Sequence, residues 1–384
     1  MLWQSSKNHK DYKRLIIGFL SRIVVNNTEA FLELVSAGLW GKEARLLSLE
    51  DAEWNEVYQL ASEQSVPGLV LAGLEDCNVK PPQELLLQWI GEVQILEQQN
   101  KAMNGFAAEL FDGLFKAGIS AVLVKGQGVA QCYERPLWRC CGDIDLLMDS
   151  ENYERAKALL VPMADHVETE DKGKKHLGLY IGESLIELHG AMSFELSKRV
   201  DRVVDEVTDK ANTNHTNGTD DLQNVAIPKA AEHVMIVFTH FLHHFFIEGV
   251  GLRQICDWCR MLWRYRSELD LQLLESRIRR AGLMSEWRVF GTLVVEYLGM
   301  PEKVMPFYEK GYEKRASRVL ERVMKCGNFG HNNDLGYRSK YSGLTYKVVA
   351  LWRRFLDFMR LVPVFPVDAP RFFVNYALVK MVSE

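Results

Sequence analysis

From about residue 9 to 117 the apolar positions recur every three or four residues, as in "EAFLELVSAGLW", "EWNEVYQLASEQ", "ELLLQWIGEVQILEQQNKAM" and "FAAELFDGLFKAG". That is the period of helices with one buried face. At "ISAVLVKG" the pattern changes to a short β-branched run closed by glycine, which predicts a strand. "QGVAQCYER" then reads as a helix, "DIDLLMD" as a strand, and "SENYERAKALLVP" as a helix with Ser150 as N-cap. Two further strand-like runs, "KHLGLYIG" and "SLIELHGAM", follow around a Gly-Glu-Ser turn. Residues 205–225 are polar and rich in Asn, Thr, Asp and Gly, a loop or linker composition. From Ile227 onward helical periodicity returns through "AAEHVMIVFTHFLHHFF", "LRQICDWCRMLWRYR" and "EWRVFGTLVVEYLG". The chain therefore divides into a helical region 1–118, an α/β core 119–204, a polar loop or linker 205–225 and a helical region 226–384. The fold class expected is α+β, a small mixed β-sheet embedded between N-terminal and C-terminal helical regions.

With 384 residues, 47% hydrophobic and 25% charged, the composition is that of a globular protein with a sizeable core. The formal net charge of −5 argues against a surface built for nucleic acid. No uncharged apolar run approaches the ~18–20 residues of a membrane-spanning helix. "RLIIGFLSRIVV" is interrupted by Arg22 and lacks a cleavage site, so it reads as a helix of the mature protein. Seven scattered cysteines are unlike a secreted disulfide framework, and a reducing cytoplasm is expected. The N-x-T triplets at Asn26, Asn214 and Asn217 are then chance matches.

Candidate chemistry concentrates in "KGQGVAQCYERPLWRCCGDIDLLMD". If "DIDLLM" is a strand, Asp143 and Asp145 point to one face and Ile144 and Leu146 to the other. Two converging carboxylates repel unless a cation sits between them. Oxygen-only ligands suit Mg²⁺ with bound phosphates; the same spacing also suits acids that face water at a strand end. "LIELHG" repeats the geometry, with Glu187 and His189 on one face, so Glu187 can complete a three-carboxylate cluster or pair with a lysine at an edge. The turn Lys125-Gly126-Gln127-Gly128 lies between a strand and a helix, where backbone N–H groups favour phosphate. Lys125 and Arg139 are candidate phosphate cations; on spacing alone, an ordinary surface role suits Arg139 equally well. A dinucleotide fingerprint is excluded, because its third glycine would fall at Gln131.

These residues, "VLVKGQGVAQCYERPLWRCCGDIDLLMD" followed by "IELHG", resemble the uncharacterised nucleotidyltransferase family of the polymerase-β-like superfamily. The resemblance covers about residues 120–190 and extends more weakly to "GLRQICDWCRML". It implies a nucleotidyltransferase in which Asp143 and Asp145 hold Mg²⁺, Glu187 is the third carboxylate and the Gly126 turn cradles the triphosphate of an NTP. It further implies that His189, Arg253 and Asp257 contact nucleotide or acceptor; on spacing alone, Arg253 and Asp257 also suit an intrahelical ion pair. Gln127 departs from the small hydroxyl residue usual in the superfamily.

In-line displacement at an α-phosphorus needs charge neutralised on attacking and leaving oxygens, which a two-metal carboxylate site provides. The expected activity is transfer of a nucleoside monophosphate from an NTP to an unidentified small-molecule or macromolecular acceptor, with release of pyrophosphate. The alternatives are a catalytically silent binding or regulatory protein of the same fold and a phosphotransferase that moves the γ-phosphate. His240 and His244 share a helical face at a spacing that can ligate zinc, but without a companion ligand a packed or substrate-facing helix is expected. Cys256 and Cys259 lie in a helical pattern and read as structural. From Gly336 to Glu384 eight Lys/Arg stand against three acids among aromatics. That stretch reads as a helix covering a neighbour with its aromatic face; contact with an anionic acceptor, nucleic acid or a membrane surface is the alternative.

Overall fold

The computed structural model describes residues 27–46, 49–328 and 343–382. The helix expected over "RLIIGFLSRIVV" and residues 336–342 and 383–384 of the basic stretch lie outside them. Four helices come first: α1 (Asn27–Trp40), α2 (Asp51–Glu63), α3 (Pro67–Glu75) and the long α4 (Gln83–Lys116). The α/β part follows as β1 (Val122–Leu123), α5 (Gly126–Ala130), β2 (Asp143–Leu147), α6 (Ser150–Leu160), β3 (His166–Val167), β4 (His176–Ile181) and β5 (Ser184–His189). After α7 (Lys198–Thr213) and the ribbon of β6 (His215–Asn217) and β7 (Ala226–Pro228), the chain is helical again: α8 (Ala230–Ile247), α9 (Leu252–Arg264), α10 (Leu271–Ala281), α11 (Met284–Leu298), α12 (Glu313–Cys326), α13 (Gly343–Leu361) and α14 (Asp368–Val382).

The main sheet has the order β1-β2-β5-β4-β3. Only β2 and β5 run parallel; the other neighbours are antiparallel. It is the small mixed sheet between helical regions that the sequence predicts. Strand alternation gives its two faces different chemistry. Ile144, Leu146, Ile186 and Leu188 are fully buried and pack with Leu110, Phe111 and Tyr153 of α4 and α6. The opposite face carries Asp143, Asp145, Glu187 and His189.

A larger core joins the helices before the sheet to those after it. Phe31, Val35 and Trp89 belong to the same buried cluster as Phe238, Trp258 and Trp287. Phe238 packs its ring 5.3 Å from Trp258 and 4.8 Å from Trp287. Ser36 Oγ donates to the carbonyl of Leu298 at 2.9 Å, tying α1 to the end of α11. Cys256 and Cys259 are fully buried in this core, the structural role expected of them. Phe358, Phe365 and Phe372 of the C-terminal stretch bury themselves around Phe246, while Trp352 stays exposed.

Several local expectations change. The loop or linker placed at 205–225 begins inside α7, whose Val200, Val203, Val204, Val207 and Ala211 form a buried stripe. Spacings of three and four hide there among charged neighbours, and burial of the stripe against α8 decides the helix. The remainder forms β6, a 3₁₀ turn and the approach to β7. Of the helix expected over "QGVAQCYER" only α5 forms, and a 3₁₀ turn follows at Pro136–Trp138. Asp149, not Ser150, caps α6, its carboxylate accepting from the Asn152 amide at 2.8 Å. Among the described residues no helix is long and apolar enough to cross a membrane.

Candidate active site

The parallel register pairs Asp143 with Leu185, Asp145 with Glu187 and Leu147 with His189. Side chains of one parity therefore converge on one face: Asp143 and Asp145 from β2, Glu187 and His189 from β5. The antiparallel register of β4 adds His176 opposite His189. Oxygens of Asp143, Asp145 and Glu187 lie within 4.8 Å of one another, and so do ligand atoms of His176, Glu187 and His189. These residues line a cleft of about 290 Å³. Its other wall comes from α8 and α9, including Val237, His240, Phe241, His243 and Arg253.

Lys125 reaches into the acids from the turn after β1. Its Nζ lies 2.5 Å from Asp145 Oδ1 and 3.9 Å from Glu187 Oε2. Burial disfavours the ammonium, but Asp145, Asp143 and Glu187 more than offset that and raise its pKa. The same ammonium donates to His240 Nε2 at 3.3 Å. Burial and the Lys125 charge hold His240 well below its usual range, so its ring is the neutral acceptor that contact requires.

Repulsion from Asp145, together with burial, pushes Asp143 up to about 6. Glu187 goes the other way. Burial would raise it, but His176, His189 and Lys125 hold it well below the usual carboxylate range. His189 is buried, which lowers its pKa, yet contacts with Asp145 at 2.9 Å and Glu187 at 3.4 Å raise it on balance.

The turn itself is tight. Gly126 has φ +50, and a Cβ there would stand 2.9 Å from the Asp143 carbonyl. Only glycine lets the chain run this close to the start of β2 at that φ. Gln127, placed by sequence among the phosphate contacts, is buried and donates to Asn100 Oδ1 at 3.3 Å, away from the cleft. Gly128 packs toward Leu123 and Ile227; of the turn, only Lys125 and Gly126 line the cleft.

Arg139 and Asp257, both expected as ligand contacts, hold each other. Arg139 Nε and Nη2 donate to Asp257 Oδ1 and Oδ2, each at 2.7 Å, and Tyr133 donates to the same carboxylate at 2.7 Å. Asp257 is therefore paired in a bidentate way across the fold, and the charge of Arg253 one turn away acts on it as well. Burial raises it, but the Arg139 charge holds it below its usual range. Arg253 donates to the carbonyl of Cys140 at 2.9 Å. Together they clamp residues 139–141, which lead directly into Asp143.

His240 and His244 touch at 3.1 Å and line the cleft; among the described residues they join no metal-ligating cluster. Sequence reasoning did not single out Lys174, His176 or His243. His176 alone had a signal available, since it falls in register with His189 once the hairpin at Gly182 is recognised.

Residues 50–299 match the sequence model of the family described as uncharacterised nucleotidyltransferase. The chain belongs to that family. The family lies within the polymerase-β-like nucleotidyltransferase superfamily, and the match spans α2 to Gly299, taking in the whole sheet and the α8–α9 wall. No curated protein and no solved structure matches the chain.

The family's chemistry implies a divalent metal, and the residues present fit one. Asp145 Oδ2 is buried and makes no hydrogen bond, a costly state for a carboxylate oxygen that a cation would relieve. All three acids offer oxygen, the donor that hard cations take.

Proposed function

We propose that this nucleotidyltransferase family member is a Mg²⁺-dependent enzyme that moves a nucleoside monophosphate from an NTP to an acceptor and releases pyrophosphate. The observation that carries the reading is the register match of Asp145 with Glu187, which brings three carboxylates together beside an unpartnered buried oxygen. Asp143, Asp145 and Glu187 would hold the metal. When bound, the divalent ions neutralise charge on the attacking and leaving oxygens of an in-line displacement.

The chain's own residues supply the rest. Lys125, Lys174 and Arg253 bring positive charge to the cleft and suit a triphosphate. Gly126 lets the backbone approach the phosphates. Arg139 and Asp257 act as positioning residues for the β2 entry. Glu187, held ionised, is a weak base, so ligation suits it better than proton abstraction from the acceptor hydroxyl. The neutral His240 and the aromatic rings of Phe194 and Phe241 on the far wall suit a planar group of nucleotide or acceptor. The acidic net charge favours an acceptor other than nucleic acid, and seven free thiols favour the cytoplasm.

A catalytically silent binding protein is the second reading. The Lys125–Asp145 contact favours it, because a lysine can neutralise converging acids without a metal. Titrating the four NTPs with Mg²⁺ into wild-type protein and the Asp143→Asn/Asp145→Asn double variant separates the two. Metal-dependent binding that the variant loses, followed by pyrophosphate release with an acceptor, supports transfer; release of a nucleoside diphosphate would instead mark a γ-phosphotransferase. Binding that the double variant retains, or none in either protein, sinks the assignment.

A further inference from the structure

The face that holds the three acids carries a second group of donors with different chemistry. His176 and His189 are directly opposed on β4 and β5, with ring centroids 4.8 Å apart and planes inclined by 34°. Both aim Nε2 at a single oxygen, Glu187 Oε2, His176 from 3.5 Å and His189 from 3.4 Å. These separations exceed the ~2.7–3.2 Å of an ordinary N–H···O bond. They suit something between the atoms instead: ligands ~2.0–2.1 Å from a tetrahedral zinc stand about 3.3–3.4 Å from one another.

Charge points the same way. Asp143, Asp145 and Glu187 converge beside the Lys125 ammonium, with Lys174 and Arg253 further along the cleft. A divalent ion held there adds positive charge beside these acids, with its imidazole ligands bound in their neutral, deprotonated form. Ligand chemistry then selects the ion. Two imidazoles and one carboxylate form a nitrogen-rich set that favours zinc-class metals over Mg²⁺, which prefers oxygen alone. To ligate, His189 gives up its 2.9 Å contact with Asp145 Oδ1. That oxygen keeps Lys125 as a partner at 2.5 Å.

We propose that His176, Glu187 and His189 form a three-ligand site for one zinc-class divalent ion (Zn²⁺ or Co²⁺), with its fourth position open to the cleft. The site goes beyond the Mg²⁺ reading: it shares Glu187 with the three-carboxylate cluster but neither its donor type nor its selectivity. Three protein ligands and one open position are the arrangement of catalytic rather than structural zinc. The open position would take water or an oxygen of the acceptor.

The test uses metal-stripped full-length protein without nucleotide. Zn²⁺ is titrated calorimetrically, and Co²⁺ is followed by its visible d–d bands. Wild type is expected to bind one Zn²⁺ and to give the intense bands of four-coordinate Co²⁺. His176→Gln, on the half-exposed end of β4, should weaken Zn²⁺ binding by at least the ~10–100-fold that loss of an outer-shell contact costs. Asp143→Asn should leave Zn²⁺ affinity near the wild-type value while removing Mg²⁺-NTP binding, so the two readings fail separately. The proposal is overturned if wild type binds no Zn²⁺, if His176→Gln binds it unchanged, or if Asp143→Asn loses it to the same degree. The Co²⁺ spectrum of wild type needs no folded variant, and weak six-coordinate bands would overturn the site alone.

Discussion

Asp145 and Glu187 are register partners on the only parallel strand pair of the sheet. Neighbouring parallel strands carry partnered side chains on the same face, so the acids meet without a loop having to bring them together. The rigidity of the centre follows: its acids sit on strands, and the helices hold the turn and the far wall around them.

Asp143 titrates in a way that folding can report. Its pKa is pushed from 3.8 to about 6, chiefly by Asp145. A carboxyl raised in the folded state keeps a proton that the unfolded chain has already lost. Stability from this group is therefore full below about pH 4 and declines as pH rises through about 6, by on the order of 2–3 kcal/mol. In chelator, Asp143→Asn should flatten that decline. Urea midpoints between pH 4 and 7 check it, and an equal slope in both proteins would refute the assignment.

The buried Arg139–Asp257 pair should behave as a clamp. Arg139→Ala leaves Asp257 charged and buried, at a cost of roughly 3–5 kcal/mol. An Arg139→Met/Asp257→Leu double variant should recover much of the loss in urea denaturation, yet bind Mg²⁺-NTP less well because residues 139–141 no longer fix the approach to Asp143. Full recovery of both stability and binding would show that the pair does not position the site.

Gly126→Ala tests the turn. The substitution places a methyl group 2.9 Å from the Asp143 carbonyl at φ +50, a strain of roughly 1–3 kcal/mol. A lower melting temperature with weaker nucleotide binding is expected. Unchanged binding would remove Gly126 from the phosphate site.

Lys125 competes with any divalent ion for the acids. Lys125→Met should raise Mn²⁺ affinity without nucleotide, read by electron paramagnetic resonance, and lower affinity for Mg²⁺-NTP, read by calorimetry. Mn²⁺ affinity that falls or stays level would mean the ammonium stabilises the ion site.

The parts of the site that were legible in the sequence are those whose geometry is local. Alternation alone orients Asp143 and Asp145, and likewise Glu187 and His189, because neighbours on one strand settle the face. Gln127 was misplaced because the direction of a side chain from a turn depends on what waits for it, here Asn100 on α4. Arg139 and Asp257 find each other across 118 residues, a separation that local patterning does not reach. The cleft wall of His240 and His244 was readable as a helix face, but what it faces is set by the packing of α8 over the sheet. At α7 the signal was present as Val200, Val203, Val204, Val207 and Ala211, but charged neighbours obscured it.

The bond from Ser36 to the carbonyl of Leu298 has a bearing on synthesis. The α1 helix leaves the ribosome long before the helix that covers it has been translated. During that interval α2 and α3 are the chief described neighbours that α1 already has. Nascent chains stopped before α11 should accordingly be the species that chaperones hold and that aggregate, since an apolar face made early waits for a partner made late.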